Sequence, residues 1–163
     1  MDLKKKIRLG NNFTPPLELR FDDLLARPLT RNDLESDLKA VNSSIEIIRK
    51  TRGGSWPDKE LSEDSDFLDL AWHEREFCEN DSFAYVIYTD KNEYVGCFYL
   101  YPIGERTEFN EKTKDYDVDA SWWVSEEMYN KGYYKKLQLA LRHWLKNDFP
   151  FESVYYSNVE MSI

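Results

Sequence analysis

The chain has 163 residues, and its 41% hydrophobic and 15% aromatic content is typical of one folded domain with a core rather than of a disordered chain. A formal net charge of −9 disfavours nucleic acid as a partner, because binding phosphate requires positive charge. No apolar run approaches the roughly 20 residues that span a bilayer, so we expect no membrane segment and no signal peptide.

The two cysteines, Cys78 and Cys97, offer neither a disulfide framework nor the spacing of a metal site. Cys97 lies in an apolar strand pattern and is expected to be a buried free thiol. Unpaired thiols of this kind suit a reducing compartment, and we therefore expect a cytoplasmic location with no bound metal.

The N-terminal region, residues 1–20, is predicted to be an arm that is basic at first and is then broken by Pro15-Pro16. Residues 21–163 are predicted to form the folded domain. Leu24 to Pro28 is the first expected strand, and Thr30 to Asp33 has the composition of a capped helix start.

A helix of 15 or more residues is predicted to follow and to end at Gly53-Gly54. The prediction rests on one continuous apolar stripe at helical spacing, formed by Leu34, Leu38, Val41, Ile45 and Ile48. A second helix is predicted from about Asp64 to Glu79. Its expected inward face consists of Phe67, Leu70, Ala71, Phe77 and Cys78.

The segment from Asp58 to Asp81 holds ten acidic and two basic residues, so nearly all of the net charge lies there. A cationic small molecule or a basic peptide would be attracted to such a surface. A solvated helix face that aids solubility explains the same pattern equally well.

The second half of the chain is predicted to contain a run of strands and one more helix. The expected strands cover 83–89, 94–101, 117–124 and 151–158, and the helix covers 133–147. The inward residues of that helix are Leu137, Ala140, Leu141, Trp144 and Leu145. This order predicts an α+β domain in which an antiparallel meander is followed by a right-handed parallel crossover.

The turn before the last helix, residues 125–134, has the features of an anion site. Gly132 precedes the helix, whose first amides and positive dipole end attract negative charge, and Lys131, Lys135 and Lys136 lie nearby. An ordinary strand-to-helix connection with solvated lysines is the alternative. The glycine spacings of the phosphate loop and of the dinucleotide fingerprint are both absent.

Four segments together resemble the GNAT superfamily of N-acetyltransferases, in particular the branch that acetylates ribosomal-protein N-termini and some small amines. The resemblance extends over about residues 24–163 and is carried by Ala26 to Leu34, Tyr94 to Leu100, Asp119 to Val124 and Tyr129 to Tyr134. It implies a mixed, mostly antiparallel sheet flanked by helices, acetyl-CoA as co-substrate, and direct transfer of acetyl to an amine-bearing small molecule or peptide.

The same resemblance assigns the residues that would hold the co-substrate. Backbone amides of the loop would bind the CoA pyrophosphate, and the strand before it would pair with the pantetheine arm. The residues so implied are Trp122, Trp123, Val124, Asn130, Lys131, Gly132, Tyr133, Tyr134 and Lys135.

Catalysis requires a neutral amine and therefore a base or a water relay. Asp119 stands where this branch often has a glutamate, and the resemblance implies that it draws the proton through water and attracts the amine. Asp117 is expected on the same face. Ordinary strand polarity is the alternative for both carboxylates. The family's usual tyrosine acid would lie beyond Ile163, and Tyr155 or Tyr156 is the expected substitute.

The chain departs from the family pattern at three places. Tyr129 replaces a Gln or Arg, Tyr134 replaces a small residue and would crowd the pyrophosphate, and the usual C-terminal helix and last strands are missing. A shortened sheet would leave 151–158 as an edge strand, predicted to pair with another chain, as in a homodimer, or to be covered by the arm. A non-catalytic CoA-binding or protein-interaction domain is the alternative function.

Overall fold

The centre of the fold is a six-stranded sheet in which every strand lies beside its neighbour in sequence. The computed structural model describes residues 4–162. The strands are β1 Leu19–Phe21, β2 Leu24–Pro28, β3 Phe83–Thr89, β4 Tyr94–Tyr101, β5 Val118–Val124 and β6 Val154–Tyr156. The first five are antiparallel, and β6 runs parallel to β5.

Helices cover both faces of the sheet. They are α1 Leu34–Asn42, α2 Ile45–Arg52, α3 Glu63–Cys78, α4 Glu126–Asn130 and α5 Tyr133–Asn147, with a 3₁₀ turn at Arg31–Asp33. The helices α1 to α3 pack on one face, where Val41, Ile48 and Leu70 meet Trp123. Helix α5 packs on the other face against Trp122. No helix within residues 4–162 is long and apolar enough to cross a membrane.

The close contact between β4 and β5 requires a glycine. A Cβ atom on Gly96 would lie 2.0 Å from the carbonyl oxygen of Trp123 and 2.8 Å from Cα of Val124. Because these are backbone atoms that cannot move aside, any side chain at Gly96 would force the two strands apart.

The predicted α+β class is confirmed, as is the antiparallel meander followed by a parallel β5–β6 pair. The expected bounds of β2, β3, β4 and α5 agree with the structure. The five predicted inward residues of α5 are all buried, and so is the Cys97 thiol. These elements have long or strongly periodic patterns, which is why sequence alone locates them.

The prediction of one long helix before Gly53 is wrong. Helix α1 ends at Asn42 and α2 begins at Ile45, and the buried hydroxyl of Ser44 between them accepts a hydrogen bond from Glu126 N at 2.9 Å. Helix α1 also buries Asp37, whereas Leu38 is only half-buried. A tertiary contact therefore interrupts a stripe that could have formed a single helix.

The inward face predicted for α3 is also largely wrong. The helix buries Asp66, Leu70 and His73, and Phe67 is 42% exposed. Only Leu70 of the expected face is fully buried. Apolar periodicity misses this face because two of its three residues are polar, and the ring of His73 packs against Tyr99 and Tyr101 of β4.

Two short elements were not expected from the sequence. Strand β1 begins at Leu19, inside the predicted arm, and a turn with positive φ at Asp22 joins it to β2. Helix α4 occupies the first half of the predicted turn 125–134. Elements of three to five residues carry too little periodicity to be recognised.

The described part of the arm packs onto the domain. Lys5 forms an isolated β-bridge with Ile103, Ile7 is buried in the core, and the Tyr85 hydroxyl donates to Pro16 O at 2.7 Å. Residues 1–3 lie outside the described residues. The bridge is made to the loop after β4, so within residues 4–162 the arm does not pair with the outer edge of β6.

Two carboxyl groups, Asp37 on α1 and Asp66 on α3, meet beneath the sheet. Both are buried, and the Tyr94 hydroxyl donates to Asp37 at 2.8 Å. Burial, and then the charge of Asp66, raises the pKa of Asp37 well above its usual range. Burial is also the main cause that raises the pKa of Asp66, so this buried pair favours a state in which one of the two carboxyl groups keeps its proton.

Replacing Asp37 by Asn is therefore expected to stabilise the fold at about pH 8 by about 1 kcal/mol or more, and much less at about pH 4. A raised folded-state pKa favours folding below the unfolded pKa, and that stability is lost as pH rises through the folded value. Asn keeps the acceptor for Tyr94 without needing a proton. Urea unfolding at both pH values, with the exposed Asp58→Asn as control, tests this. A loss of stability at both pH values would contradict it.

Candidate functional site

Strands β5 and β6 stop pairing before the end of β5, and we call the gap between them the wedge. The parallel register ends at Ala120 opposite Tyr156, and Ser157 N still donates to Ala120 O at 2.9 Å. Beyond that point the side chain of Asn158 replaces the strand. Its Oδ1 accepts from Trp122 N at 3.0 Å, and its Nδ2 donates to Trp122 O at 2.9 Å.

Tyr134 lines the inner wall of this wedge. Asn158 Nδ2 also donates to the Tyr134 hydroxyl at 2.8 Å, and that hydroxyl donates to the carbonyl of Glu160. The Tyr134 ring lies 5.4 Å from that of Trp122 and is only 3% exposed. The side chain therefore points into the protein, and its hydroxyl joins α5 to the segment after β6.

The first turn of α5 lies where the sequence predicts an anion site. Its N-cap, Gly132, has φ +87, a conformation that favours glycine, and the first turn contains no acidic residue. The first three backbone amides of the helix, beginning at Tyr133, have no acceptor within the helix, because no helical carbonyl precedes them by a full turn.

The lysines near this turn differ in their partners. Lys131 pairs with Glu127 at 3.1 Å, and Lys136 bonds to Asp22 and Asp23. Lys135 is exposed and has no ion pair within residues 4–162. Much of the positive charge expected from the sequence is thus balanced by neighbouring carboxylates, and Lys135 carries what is left.

The indoles of Trp122 and Trp123 are both fully buried on opposite faces of β5, so the strand presents backbone rather than rings to the wedge. Trp123 Nε1 donates to the Tyr99 hydroxyl at 2.8 Å. The backbone of Trp122 is already bonded to Asn158. By the alternation of the strand, the next backbone groups that face the wedge belong to Val124.

Asp119 lies on the β5 face covered by α1 to α3 and is completely buried. Its carboxylate accepts hydrogen bonds from the hydroxyls of Thr107 and Ser157, the latter at 2.6 Å. Burial raises the pKa of Asp119, although both hydroxyls and the guanidinium of Arg106 act in the opposite direction. The group is thus a stronger base than an exposed aspartate.

The other predicted acid–base residues have different surroundings. Asp117 accepts bonds from the amides of Glu152 and Ser153, at 2.8 and 3.2 Å, and so caps the loop before β6. Tyr155 is paired with Asp119 across the parallel strands, and its ring packs edge-on against Tyr116 at 5.2 Å. Tyr155 is thus the register neighbour of Asp119, whereas the Asp117 carboxylate is bonded to the loop before β6.

Two arginines lie beside Asp119. Arg106 Nε donates to Ser157 Oγ at 3.2 Å, and its terminal nitrogen donates to the carbonyl of Arg52. Arg52 Nε donates to Ser121 Oγ at 3.1 Å, and its guanidinium lies 4.4 Å from the centre of the Tyr99 ring. Burial and the charge of Arg52 lower the pKa of Arg106 to about 10.

These arginines form the floor of a pocket of about 310 Å³. Its aromatic walls are Trp56, Trp72, His73, Tyr99 and Tyr101, and its acidic lining residues are Asp69, Glu76 and Glu105. The pocket adjoins Asp119 on one face of β5, and the wedge follows the edge of β5. One molecule in the pocket and another in the wedge could therefore meet at this strand.

Sequence reasoning missed Arg52, Arg106, Ser157 and Asn158. The only available sign was the polar Ser157-Asn158 pair directly after an apolar strand. Arg52 precedes a glycine turn and Arg106 lies in a polar loop, where charged residues are common. Only the fold brings these four side chains to one place.

Replacing Asn158 by Ala is expected to destabilise the protein by about 3 kcal/mol or more, because it leaves the buried amide and carbonyl of Trp122 without partners. Thermal and urea unfolding would measure the loss. The exposed Asn32→Ala serves as the control and should change stability little. Unchanged stability in Asn158→Ala would show that the amide does not hold β5 and β6 in place.

Comparison with known proteins finds similarity both in sequence profile and in fold. Residues 23–160 match the sequence profile of the acetyltransferase (GNAT) domain family. A comparison with curated proteins finds no sequence match.

Several solved structures share the fold. RimL, a ribosomal L7/L12 alpha-N-protein acetyltransferase in complex with coenzyme A, has a TM-score of 0.58 at 16% identity, covering 82% of this chain and 68% of its own. The ribosomal-protein-S5-alanine acetyltransferase of Vibrio fischeri has a TM-score of 0.59 at 10% identity, with coverages of 82% and 69%. The acetyltransferase from Salmonella typhimurium that modifies the N-terminal serine of L7/L12 has a TM-score of 0.54 at 15% identity, with coverages of 77% and 66%.

Proposed function

Because the chain belongs to the GNAT acetyltransferase family, we propose that it transfers an acetyl group directly to the primary amine of a cationic small molecule or of a peptide N-terminus. Family membership makes it an acetyl-CoA-dependent N-acetyltransferase. The observation that carries the proposal is the junction at β5, where the wedge and the acidic pocket meet beside Asp119.

The wedge is the proposed binding site of acetyl-CoA. The first turn of α5, with Asn130, Gly132 and Lys135 around it, would hold the pyrophosphate, since free amides, the helix dipole and an unpaired lysine all favour an anion. Tyr133 and Tyr134 belong to the same loop and would contribute backbone amides, whereas the amide of Lys131 already donates to Met128 O at 3.1 Å. They are residues of the site proposed from the sequence.

The pantetheine arm would run along the open edge of β5. By the alternation of the strand, the Val124 backbone faces this edge, whereas the Trp123 backbone faces β4. Trp122 and Trp123 are the other strand residues proposed from the sequence for this contact. A pairing with Trp122 would require Asn158 to release it. The first turn of α5 and the position of Val124 therefore support the proposal, whereas the bonded backbone of Trp122 counts against it deeper in the wedge.

In the proposed chemistry, the amine nitrogen attacks the thioester carbonyl, the carbon–sulfur bond breaks, and CoA leaves as the thiolate. Asp119 would take the amine proton through the Ser157 hydroxyl, because Asp119 itself is fully buried. Tyr155, on the same face, is the proposed proton donor to the thiolate. The carboxylates on α3 would attract the cationic acceptor.

Isothermal titration with acetyl-CoA tests the donor site. We expect binding that weakens about tenfold in Lys135→Glu, because the substitution places negative charge beside the proposed pyrophosphate site. The matched control is Lys146→Glu at the other end of α5, which should bind normally. Absence of binding at millimolar acetyl-CoA would instead support a protein-interaction domain closed by Tyr134 and Asn158.

Replacing Asp119 by Asn is expected to reduce kcat by about 100-fold or more while acetyl-CoA binding is retained. A base must be deprotonated, so the wild-type rate should rise with pH through a pKa above the ordinary carboxyl range, and the variant should lose this limb. Asp117→Asn is the matched comparison, because Asp117 only caps a loop. An equal loss of kcat in both variants would show that Asp119 is not the catalytic base.

The outer edge of β6 supports a proposal about assembly. The sheet order ends at β6, and no strand within residues 4–162 pairs with its outer edge. An edge with free backbone groups favours pairing with a second chain, and we propose a homodimer through β6. Sedimentation equilibrium would show a monomer if this is incorrect.

A further inference from the structure

The floor of the pocket beside Asp119 has a charge pattern that a simple amine does not explain. Arg52 is 6% exposed, and Arg106 lies against it through a bond to its carbonyl. Within residues 4–162, no carboxylate lies within ion-pair distance of either guanidinium. Buried arginines normally have an anionic partner, since an unpaired buried charge is costly.

The known partners of the two guanidiniums are neutral. Arg52 Nε bonds to Ser121 and Arg106 Nε to Ser157, both hydroxyls, and Arg52 also stacks on Tyr99. Asp119 is near enough to influence both arginines electrostatically, but its two oxygens are taken up by Thr107 and Ser157. Planar guanidinium groups are therefore left facing the pocket, where they suit a carboxylate.

The rim of the same pocket has the opposite charge. Asp69 and Glu76 lie on α3 and Glu105 on the loop after β4. The Nζ atom of Lys4 lies 3.8 Å from Oε1 of Glu105, and Nε2 of His73 lies 3.5 Å from Oδ2 of Asp69. Burial and the nearby Glu76 raise the pKa of Glu105, a sign that acidic groups crowd this rim. An ammonium group would relieve that repulsion.

We propose that this pocket binds a small zwitterionic amine, with its carboxylate on Arg52 and Arg106 and a cationic group toward Asp69 and Glu76. The proposal deepens the acceptor site of the proposed function and rests on it for catalysis. A cavity of about 310 Å³ accommodates an amino acid but not a folded protein segment. An amino acid with a cationic side chain carries both charges, and its α-amine lies next to the carboxylate and hence next to Ser157.

The aromatic walls add to this selectivity. Trp56 and Trp72 line the pocket between floor and rim, and the ring of His73 stacks on Tyr101 at 6.4 Å. An alkyl chain between the two charged ends would lie against these rings and lose its water. The ligand class is thus an amino acid with an extended aliphatic side chain that ends in an ammonium group.

Three small-molecule probes separate the contributions of the carboxylate and the ammonium group. L-lysine carries a carboxylate and two ammonium groups, 6-aminohexanoate lacks the α-amine, and pentane-1,5-diamine lacks the carboxylate. Isothermal titration of the full chain without acetyl-CoA should show lysine and 6-aminohexanoate binding at least about tenfold more tightly than the diamine. Equal or tighter binding of the diamine, or no binding of any probe at millimolar concentration, would overturn the proposal.

Arginine variants test whether the preference for carboxylate probes arises from the arginines in the floor of the pocket. Arg106→Gln should abolish the preference for the carboxylate probes, whereas Arg106→Lys, which keeps the charge, should restore part of it. Arg49→Gln, an exposed position one turn before Arg52 on α2, is the matched control and should keep the full preference. Circular dichroism melting of each variant confirms folding. A preference unchanged in folded Arg106→Gln would also overturn the proposal.

Turnover distinguishes this proposal from the proposed function. If lysine binds with the expected preference but is not acetylated in the presence of acetyl-CoA, the pocket assignment stands and its role as acceptor site fails. If the diamine or a peptide N-terminus is acetylated as fast as lysine, acetyl transfer stands and the zwitterion preference is overturned.

Discussion

The bonds that the Asn158 side chain makes with the backbone of Trp122 are the constraint on which the rest of the site depends. A side-chain amide has both N–H donors and a carbonyl acceptor, so it can pair with a strand residue as another strand would, but it does not continue the strand. Strands β5 and β6 therefore satisfy each other through Ala120 and then separate. The wedge begins at this substitution of side chain for backbone, and further bonds from Glu160 to Thr51 and from Ser162 to Gln138 fix the path of the segment that follows.

The alternation of side chains along β5 divides the site into two halves. Asp119 and Ser121 point to the face covered by α1 to α3, and Trp122 points to the face covered by α5. The backbone edge between them faces the wedge. This seven-residue strand faces the pocket with its side chains and the wedge with its backbone amides and carbonyls. An acetyl donor and an amine acceptor can therefore approach it from different directions.

Charged groups are concentrated on one side of the sheet. The α5 side is an aromatic and aliphatic core, whereas the opposite side buries Asp37, Asp66, Asp119 and Arg52. Burial raises the pKa of the three carboxyl groups, so each of them releases its proton at a higher pH than an exposed carboxyl group would. Such an arrangement costs stability, and a face that buries charged groups in this way fits a role in binding and proton transfer.

The amino-acid sequence by itself determined the elements with strong periodicity. The strands β2 to β4 and the helix α5 could be placed from alternating or helical apolar patterns, and the order of motifs identified the family to which the chain belongs. The loop at Gly132 and the carboxylate at Asp119 could be named for the same reason, since both lie inside recognisable segments.

Tertiary structure alone decided the break between α1 and α2, the polar inward face of α3, and the meeting of Arg52, Arg106, Ser157 and Asn158. These residues are separated by up to about a hundred positions in sequence, and none of them belongs to a periodic pattern. Hydrogen bonds and electrostatic contacts between distant polar groups depend on the spatial arrangement of whole elements. Apolar periodicity contains no information about that arrangement, so local sequence could not show the charge pattern of the pocket.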